Sequence, residues 1–507
     1  MSNHQNNKDN KGKSILDRIA HRGMMERGFI VDFSAAALNE AETMARVDRG
    51  TKFPGKDLRH LLWASIDNDD SLDLDQLTVA ETLPDKTVNI FVAIADVDAL
   101  VKKRSAIDEH ARHNTTSVYT AGRIFPMLPE KLSTDLTSLN YDEDRPVIVI
   151  EARISGEGEV QRSGIYRAWV RSHAKLAYNS VAAWLEGKGR MPEAVAAVPG
   201  LAENLRIQDR VAQQLKSLRH AHGALDLQTL EARPVLVGDE IQDLRVDEKN
   251  LAKALIEDFM IVANGATARF LHGKKIPSLR RMVRSPKRWS RIIEIAARHN
   301  FQLPPAPDSK ALTNFLAVRK AADPLRFPDL SLSIIKLLGP GEYVVEFPEE
   351  TAPGHFGLAV KDYTHSTAPN RRFPDLVTQR ILKAALDGSP MPYSRDELVE
   401  LARHCTEKEN DANKVERLVA KSAAAMLLSS RIGDPFDAMC TGAAGKGTWV
   451  RIFQPPVEGR LCYGYEGVDV GDRFRVQLIH TDVEKGHVDF KRIHYETPHP
   501  FINSDGF

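Results

Sequence analysis

The chain has 507 residues, of which 42% are hydrophobic and 27% are charged, and its formal net charge is zero. This length and composition predict an ordinary globular protein of two or more domains. No run approaches the roughly 18 apolar residues of a membrane span, and the N-terminus lacks the apolar core of a signal peptide, so we expect a cytoplasmic protein. The three cysteines are widely separated and show no CxxC spacing, which argues against a disulfide framework and against a zinc site.

The N-terminal part of the chain is polar at first and then helical in pattern. Residues 1–13 contain few hydrophobic residues, so we predict a disordered tail there. Apolar residues at three- and four-residue spacing follow in 15–28 and 35–47. We therefore predict a short helical region over 14–55, too small to form an independent domain.

An acidic segment, IDNDDSLDLDQL, follows the apolar stretch LLWASI. Carboxylate oxygens are hard ligands suited to Mg²⁺ or Mn²⁺, and two such ions about 3.5–4 Å apart can hold the attacking and leaving oxygens of a phosphodiester displacement. In extended backbone the last two aspartates would point the same way. The segment places five aspartates within nine positions: Asp67, Asp69, Asp70, Asp73 and Asp75.

The acidic segment has two other interpretations. A solvated acidic loop is the usual meaning of a charge run and remains open on spacing alone. A calcium loop of the EF-hand type requires glycine at its sixth position and glutamate at its twelfth, where this chain has Leu72 and Thr78. The calcium loop is therefore excluded.

The pattern from residue 58 onward predicts an α+β domain. Apolar stretches at 61–66, 88–97 and 145–154 alternate with turns and predict strands. Helical periodicity then dominates, most clearly at 205–222, 250–271 and 404–432. We expect a mixed sheet surrounded by helices.

Residues 274–291, here called the basic segment, contain eight lysines and arginines and no acidic residue. Because the net charge is zero, any binding of nucleic acid depends on such local concentrations of positive charge. We predict RNA contacts from Arg280, Arg281 and Arg284, with Trp289 available for stacking on a base. A solvated helix start near Ser285 is an equally good interpretation.

After about Asp434 the chain changes to short strands with turn glycines, which predicts a five-stranded barrel of the OB-fold type. The segment GDRFRVQLIHTDVEKGHVDF resembles the RNA-binding domain of the ribosomal protein S-one type. Such barrels bind single strands through a basic groove and stacking aromatics, for which Phe453, Tyr463 and Tyr465 are candidates. Burial inside the barrel is the alternative, and we expect it for at least one of the three.

Taken in order along the chain, several segments together resemble the RNase II family of 3′-to-5′ exoribonucleases. The segments that carry the resemblance include DLRHLLWASIDNDDSLDLDQ, SVYTAGRIFPMLPEKLSTDL, HGALDL, LIEDFMIVAN and HFGLAVKDYTHSTAPNRRFPDL. The resemblance implies an RNB-type catalytic domain over 56–432 and a C-terminal RNA-binding barrel over 433–507. It also implies Mg²⁺-dependent hydrolysis of single-stranded RNA to nucleoside 5′-monophosphates, without efficient cleavage of DNA. The paired cold-shock barrels usually precede the catalytic domain, and because the N-terminal region is too short for them, we expect them to be missing.

The resemblance assigns the metal site and a catalytic arginine. Asp67, Asp73 and Asp75 match three of the family's four catalytic aspartates, and Asp75 is expected to be the most important. The fourth position is Gln76, whose carbonyl can still bind Mg²⁺ but which removes a negative charge. Arg371 matches the arginine that contacts the scissile phosphate. An ion pair with Asp375 at a helix start is its alternative role.

The resemblance also assigns residues around the RNA. Tyr119 matches an aromatic that packs on the terminal base, and Glu257 and Glu416 match acidic residues near the reacting end, Glu416 being assigned to catalysis. Ordinary roles on a helix surface are equally good explanations for both glutamates. Leu227 stands where the family often has an aromatic that clamps the RNA.

Three functions follow from these observations. An exoribonuclease is favoured because four separate catalytic positions are retained. A non-catalytic RNA-binding regulator with an impaired metal site is the second, and Gln76 is its main support. A metal-dependent phosphatase acting on small esters is the third, but it would need neither the barrel nor the basic segment.

Overall fold

The computed structural model describes residues 12–45, 55–228, 232–237, 240–246, 249–350, 354–445 and 447–493. Most of the predicted tail lies outside these residues, and the first helix already begins at Gly12. The two helical stretches predicted next to it are present as α1 (Gly12–Glu26) and α2 (Ala35–Ala45).

One mixed sheet forms the centre of the larger part of the molecule. Its strands and the hairpin and helix between them are, in chain order, β1 (Lys56–Asp57), β2 (Ala64–Asp67), β3 (Gln76–Thr82), β4 (Val88–Ala95), α3 (Ala106–Asn114), β5 (Val118–Tyr119), β6 (Ile124–Phe125), β7 (Asp144–Ile154), β8 (Val160–Arg171) and β9 (Ala174–Ala177). Seven strands pair in the order β1-β8-β7-β4-β3-β2-β9, and β5 pairs only with β6. The pairs β1–β8 and β2–β9 are parallel, whereas the others are antiparallel. The central strand β4 is almost wholly buried because helices and loops cover the sheet.

Helices occupy most of the next 250 residues, as the periodicity predicts. They and the short strands among them are α4 (Tyr178–Leu185), α5 (Glu193–Ala196), α6 (Leu201–Ala221), β10 (Ala232–Val237), β11 (Glu240–Val246), α7 (Leu251–Gly273), β12 (Ser278–Met282), α8 (Trp289–Arg298), α9 (Ser309–Ala322), α10 (Phe327–Leu338), β13 (Glu342–Glu346), α11 (Phe373–Asp387) and α12 (Arg395–Leu428). Within the described ranges, none of the helices has the length and apolar character needed to span a bilayer.

The C-terminal part is a closed five-stranded barrel, which confirms the predicted OB-type architecture. Its strands are β14 (Pro435–Ala444), β15 (Gly447–Ile452), β16 (Glu458–Tyr463), β17 (Arg473–Asp482) and β18 (His487–Arg492), in the order β14-β15-β16-β18-β17. Alternating inward residues such as Val450, Leu461 and Phe490 form its core, to which Ala425 and Leu428 of α12 also contribute. The α+β fold class is therefore confirmed as well.

Three further apolar clusters lie outside the barrel and join the other helices and strands to one another. The largest lies between the central sheet and the helices α7 and α11. A second joins α1 to the β5–β6 hairpin and to α12. A third unites α8, α9 and α10 into a three-helix unit.

Candidate active site

The acidic segment connects two neighbouring strands of the sheet. Asp67 is the last residue of β2, and Asp75 directly precedes β3, which runs antiparallel beside it. Both carboxylates consequently lie at the same end of the sheet. Asp67 Oδ1 accepts hydrogen bonds from the backbone N–H of Asn68 at 2.8 Å and the hydroxyl of Ser71 at 2.9 Å. We call Asp67, Asp73 and Asp75 the acidic centre.

Asp75 is bound by the loop that carries the predicted catalytic arginine. Its side chain is buried, with 1% of the residue exposed. Oδ1 accepts from the backbone N–H of Asn370 at 2.9 Å, and Oδ2 accepts from Nε of Arg371 at 3.2 Å. The Arg371 side chain is 42% exposed, so its outer part can face a ligand while its inner nitrogen is held.

Arg372, and not Arg371, forms the ion pair with Asp375 that was the alternative role of Arg371. Asp375 lies in the first turn of α11 and is buried. Its Oδ1 accepts from Nη2 of Arg372 at 2.8 Å and from two backbone N–H groups of the preceding loop, those of residues Thr367 and Ala368. The helix start therefore fixes the loop through Arg372 and leaves Arg371 to the acidic centre.

Tyr119 reaches the same place from the β5–β6 hairpin. The backbone N–H of Ser117 donates to the carbonyl of Arg371 at 2.9 Å, which aligns the hairpin with the arginine loop. The hydroxyl of Tyr119 donates to Asp73, and the residue as a whole remains 39% exposed. Glu416 of α12 accepts the backbone N–H of Tyr119 at 2.9 Å. The structure thus brings together the predicted residues of three separate segments.

Glu416 contacts the hairpin backbone in this arrangement. That contact positions Tyr119, and a direct catalytic role for Glu416 remains a prediction. Glu257 lies exposed on α7, where its charge acts on its buried neighbour Asp258, so its role near the RNA also remains a prediction.

Electrostatics at the acidic centre favour a bound cation. Burial raises the pKa of Asp75 to about 7, although Arg371 and the N–H of Asn370 act in the opposite direction. Burial also raises the pKa of Asp67, and the negative charge of Asp73 adds to this effect. Raised values mean that negative charge at this site is incompletely compensated by the protein. Oxygen donors with excess negative charge are what Mg²⁺ and Mn²⁺ require.

The carboxylate oxygens of the acidic centre are the chemical type of ligand that binds a divalent cation. Their positions, however, define no coordination geometry. Among the residues that the structure describes, no three His, Cys, Asp or Glu side chains converge closely enough to hold a metal ion. Gln76 is buried at the start of β3, where successive side chains project to opposite faces. Two residues on, Thr78 contacts Gln208 of α6, so strand alternation places Gln76 toward α6. Its role as a ligand stays a prediction.

Tyr178 is a residue near the site that the sequence analysis missed. Strand β9 runs parallel beside β2 with Ala177 opposite Asp67, and Tyr178 follows directly as the first residue of α4. Burial raises the pKa of Tyr178, and the charge of Asp67 acts in the same direction. Nothing in the local sequence marks this tyrosine, because its proximity to Asp67 depends on the order of strands in the sheet.

Two predictions for the basic segment are wrong. Arg280 is buried and donates through Nη2 to Glu346 at 2.9 Å, so its charge is used inside the protein. The indole of Trp289 is 4% exposed and donates to the carbonyl of Pro304 at 2.8 Å within the three-helix unit. Neither side chain is available to RNA, because strand pairing and helix packing enclose both.

The other RNA-binding candidates of this region differ in exposure. Arg281 forms a two-bond ion pair with Glu409 of α12, at 2.6 and 2.9 Å, and is mostly enclosed. Arg284 pairs with Glu342 but stays largely exposed. Leu227 packs against the core of the three-helix unit. RNA contacts by these three residues remain predictions.

All three aromatic candidates of the barrel lie at the surface. Phe453, Tyr463 and Tyr465 are exposed, so the expectation that at least one would be buried is wrong. Tyr463 stands at the end of β16 opposite Lys491 of β18, and the guanidinium of Arg473 lies 5.5 Å from the ring centre of Phe453. Each of these two rings thus has a basic residue as a neighbour, as stacking sites for a single strand often do. The strand register places Phe453 beside the start of β16 and Tyr463 at its end, so the two rings lie at opposite ends of this strand pair.

Comparison with known families supports this architecture. The RNB domain matches residues 55–388, and the RNase II-type exonuclease C-terminal S1 domain matches residues 434–493. Ribonuclease R of Escherichia coli is 28% identical over 475 residues, which cover 87% of this chain and 57% of that protein. Ribonuclease R 2 of Lactococcus lactis is 28% identical over 496 residues, covering 91% of this chain and 73% of the relative. The chain thus spans little more than half the length of the Escherichia coli relative.

Solved structures share the fold. Mycoplasma genitalium RNase R in complex with ribose methylated single-stranded RNA superposes with a TM-score of 0.84 at 24% identity, covering 96% of this chain and 78% of that chain. Yeast Ssd1, described as a pseudonuclease, superposes with a TM-score of 0.68 at 14% identity, covering 92% of this chain and 58% of that chain. Because the RNB domain alone matches well over half of the residues, the chain belongs to the RNB-domain family, with an RNase II-type C-terminal S1 domain.

Proposed function

We propose that the chain is a 3′-to-5′ exoribonuclease that hydrolyses single-stranded RNA to nucleoside 5′-monophosphates. The ion pair between Asp75 and Arg371, formed beside Asp67 and Asp73, is the observation that carries this proposal. The family membership and the relatives named Ribonuclease R support it.

Arg371 is suited to stabilise the transition state. Asp75 binds its Nε, and the carbonyl of Arg371 is bound by Ser117, so the position of the guanidinium is set before substrate arrives. A preorganised positive group stabilises the charge that builds on a phosphate during displacement without further reorganisation. The exposed nitrogens of Arg371 would contact the oxygens of the scissile phosphate.

Asp67, Asp73 and Asp75 would hold a divalent cation, Mg²⁺ or Mn²⁺, and Gln76 would add its carbonyl only if its side chain turned from α6 toward them. When bound, such an ion polarises the phosphate and lowers the pKa of a water molecule. Burial raises the pKa of Asp75 even though Arg371 pairs with it, which supports this assignment, because burying negative charge is costly unless enough positive charge accompanies it.

The exposed aromatics suit a single strand. The ring of Tyr119 can stack on the terminal base while its hydroxyl remains on Asp73. Phe453, Tyr463 and Tyr465 would engage bases farther from the 3′ end, since stacking of a base on an aromatic ring tolerates any sequence. We expect DNA to bind without efficient cleavage.

A second candidate function is an RNA-binding regulator whose catalysis is impaired. Gln76 in place of an acidic residue favours it, as does the lack of a three-ligand metal cluster among the described residues. Yeast Ssd1, described as a pseudonuclease, has a similar fold. Against it stands the Asp75–Arg371 pair, which orders a buried charge that a purely binding protein would not need.

The test is incubation of 5′-labelled single-stranded RNA with the purified protein in Mg²⁺, Mn²⁺ or EDTA, with identification of the released nucleotide. We expect metal-dependent shortening to a small 5′-labelled core and release of 5′-monophosphates. Asp75→Asn should lower the rate by about 10³-fold or more while RNA stays bound, because it removes both the anchor of Arg371 and a metal ligand. Asp69→Asn, exposed in the same loop, is the matched control and should retain the wild-type rate.

Wild-type protein that binds RNA but leaves it intact in every metal would contradict the exoribonuclease and favour the regulator. Gln76→Asp would then be measured under the same conditions. Activity gained by that substitution would identify the missing carboxylate as the cause.

A further inference from the structure

Helix α1 lies between the β5–β6 hairpin, helix α12 and the barrel. It precedes the residues matched by the RNB domain, which begin at residue 55. Its buried face packs against the hairpin and α12 in one apolar cluster, to which it contributes Leu16, Ile19, Ala20 and Met24. On its other side, Arg18 and Arg22 bind Glu484 in the turn between β17 and β18.

The contact between α1 and the hairpin is unusually close at Gly122. A Cβ atom on Gly122 would lie 2.6 Å from the backbone nitrogen of Asp17 and 2.7 Å from the backbone carbon of Leu16. These obstacles are backbone atoms of a helix, which cannot turn aside as a side chain can. The φ angle of Gly122 is not positive, so glycine is needed for space and not for conformation.

The hairpin carries Tyr119, three residues before Gly122, and two hydrogen bonds connect Tyr119 to the candidate active site and to α12. Its hydroxyl binds Asp73, and its N–H binds Glu416. The hairpin is too short to absorb a displacement at Gly122, because β5 and β6 have only two residues each.

Helix α12 packs against α1 next to Glu416, the residue that accepts the backbone N–H of Tyr119. Val415 and Val419 belong to the same apolar cluster as Leu16, and Glu416 follows Val415 directly. The ion pairs of Arg18 and Arg22 with Glu484 are half exposed, so they stabilise the position of α1 weakly. The apolar cluster and the Gly122 contact are therefore what set the distance between α1 and the hairpin.

We propose that α1 is a positioning element for the reaction and that Gly122 is the positioning residue through which it acts. The close contact sets where Tyr119 stands relative to Asp73, and thereby where the terminal nucleotide lies relative to Arg371. This inference rests on the proposed exoribonuclease function. It assigns a role to a helix outside the matched RNB domain.

Gly122→Ala tests the contact directly. Because a misplacement of about 1 Å at a reacting centre can cost up to about 100-fold in rate, we expect kcat to fall by about 10-fold or more. The Kd for single-stranded RNA in EDTA should stay within about 2-fold, since the barrel surface is untouched. Gly164→Ala is the matched control, because an added Cβ there meets no atom within 4 Å. An unchanged kcat in Gly122→Ala would overturn the inference.

A double-mutant cycle with Tyr119→Ala separates positioning from general loss of structure. If Gly122 acts through Tyr119, adding Gly122→Ala to Tyr119→Ala should lower kcat by less than about 2-fold further. Full additivity would contradict the mechanism. Leu16→Ala removes apolar packing from the α1 side of the same contact and introduces no steric clash. We expect it to lower kcat as well.

A readout independent of cleavage distinguishes failure of this inference from failure of the proposed function. RNA with 2-aminopurine as its 3′-terminal base is bound in EDTA, and its fluorescence reports stacking of that base. Gly122→Ala should change the fluorescence of the bound RNA, whereas Gly164→Ala should match the wild type. Wild-type protein that fails to cleave RNA would refute the proposed function, and this comparison would still decide whether α1 positions the terminal base.

Discussion

The basic segment and the aromatic candidates of the barrel are both predicted to contact RNA, and the structure uses their side chains in opposite ways. In the basic segment, β12 pairs with β13, whose sequence EYVVE carries a glutamate at each end. Glu346 binds Arg280 inside the protein, and Glu342 binds Arg284 at the surface. In the barrel, Tyr463 and Tyr465 project into solvent.

The difference shows that a run of positive charge indicates RNA binding only where the tertiary structure leaves the charges exposed. The acidic partners of Arg280 and Arg284 lie 66 and 58 residues away in sequence, so the segment alone cannot reveal them. Exposed rings are informative for the opposite reason, because burial of their apolar surface would be favourable and has not occurred.

The largest expected effect concerns the buried partner in the basic segment. Glu346→Gln should lower the free energy of unfolding by about 3 kcal/mol, because it leaves the buried Arg280 charge uncompensated. Chemical denaturation measures this loss. Glu342→Gln is the matched control on the same strand and should cost less than about 1 kcal/mol, because its pair with Arg284 is exposed. Equal losses in the two variants would contradict the assigned difference between the pairs.

An intermediate effect is expected at the barrel surface. Tyr463→Ala should weaken binding of single-stranded RNA by about 10-fold, since stacking of one base on an aromatic ring contributes about 1–3 kcal/mol. Fluorescence anisotropy in EDTA measures the Kd, and kcat at saturating RNA should stay near the wild-type value. Tyr141→Ala, which removes an equally exposed tyrosine from the RNB domain, should leave the Kd unchanged. A similar loss in both variants would remove the special role of the barrel.

The smallest effect is expected at the exposed end of the basic segment. Arg284→Gln should weaken RNA binding by about 2-fold, because its guanidinium is already paired with Glu342 and screened by solvent. Arg403→Gln removes a similar exposed arginine, paired with Glu407 on α12, and should have no effect. A loss of about 10-fold in Arg284→Gln would mean that the pair opens to bind phosphate, and the contrast between the two regions would then be smaller than proposed.

Much of the fold could be predicted from local patterns. The strands at 88–97 and 145–154, the helices at 205–222 and 250–271 and the five-stranded barrel are all present. Helix α12 begins nine residues before the predicted 404, at Arg395. Its start is marked by a capping box of Ser394 and Glu397, a local signal that was present in the sequence.

The candidate site was predicted in part. The aspartates and Arg371 could be named because their spacing and neighbours are characteristic, but the pairing of Arg371 with Asp75 and of Arg372 with Asp375 could not be read from two adjacent arginines. Tyr178 was missed because a parallel strand pair brings it next to Asp67.

The sequence by itself determined the α+β class, the barrel and the residue types of the acidic centre, because periodicity and short motifs are local properties of the chain. Only the tertiary structure decided which charges are buried in pairs, which rings remain exposed and which helix supports Tyr119. Those outcomes depend on contacts between segments separated by tens to hundreds of residues, such as Gly122 against Asp17 or Arg371 with Asp75. Burial and pairing are properties of the packed chain, and they determine whether a charged or aromatic residue supports the fold or is free to bind RNA.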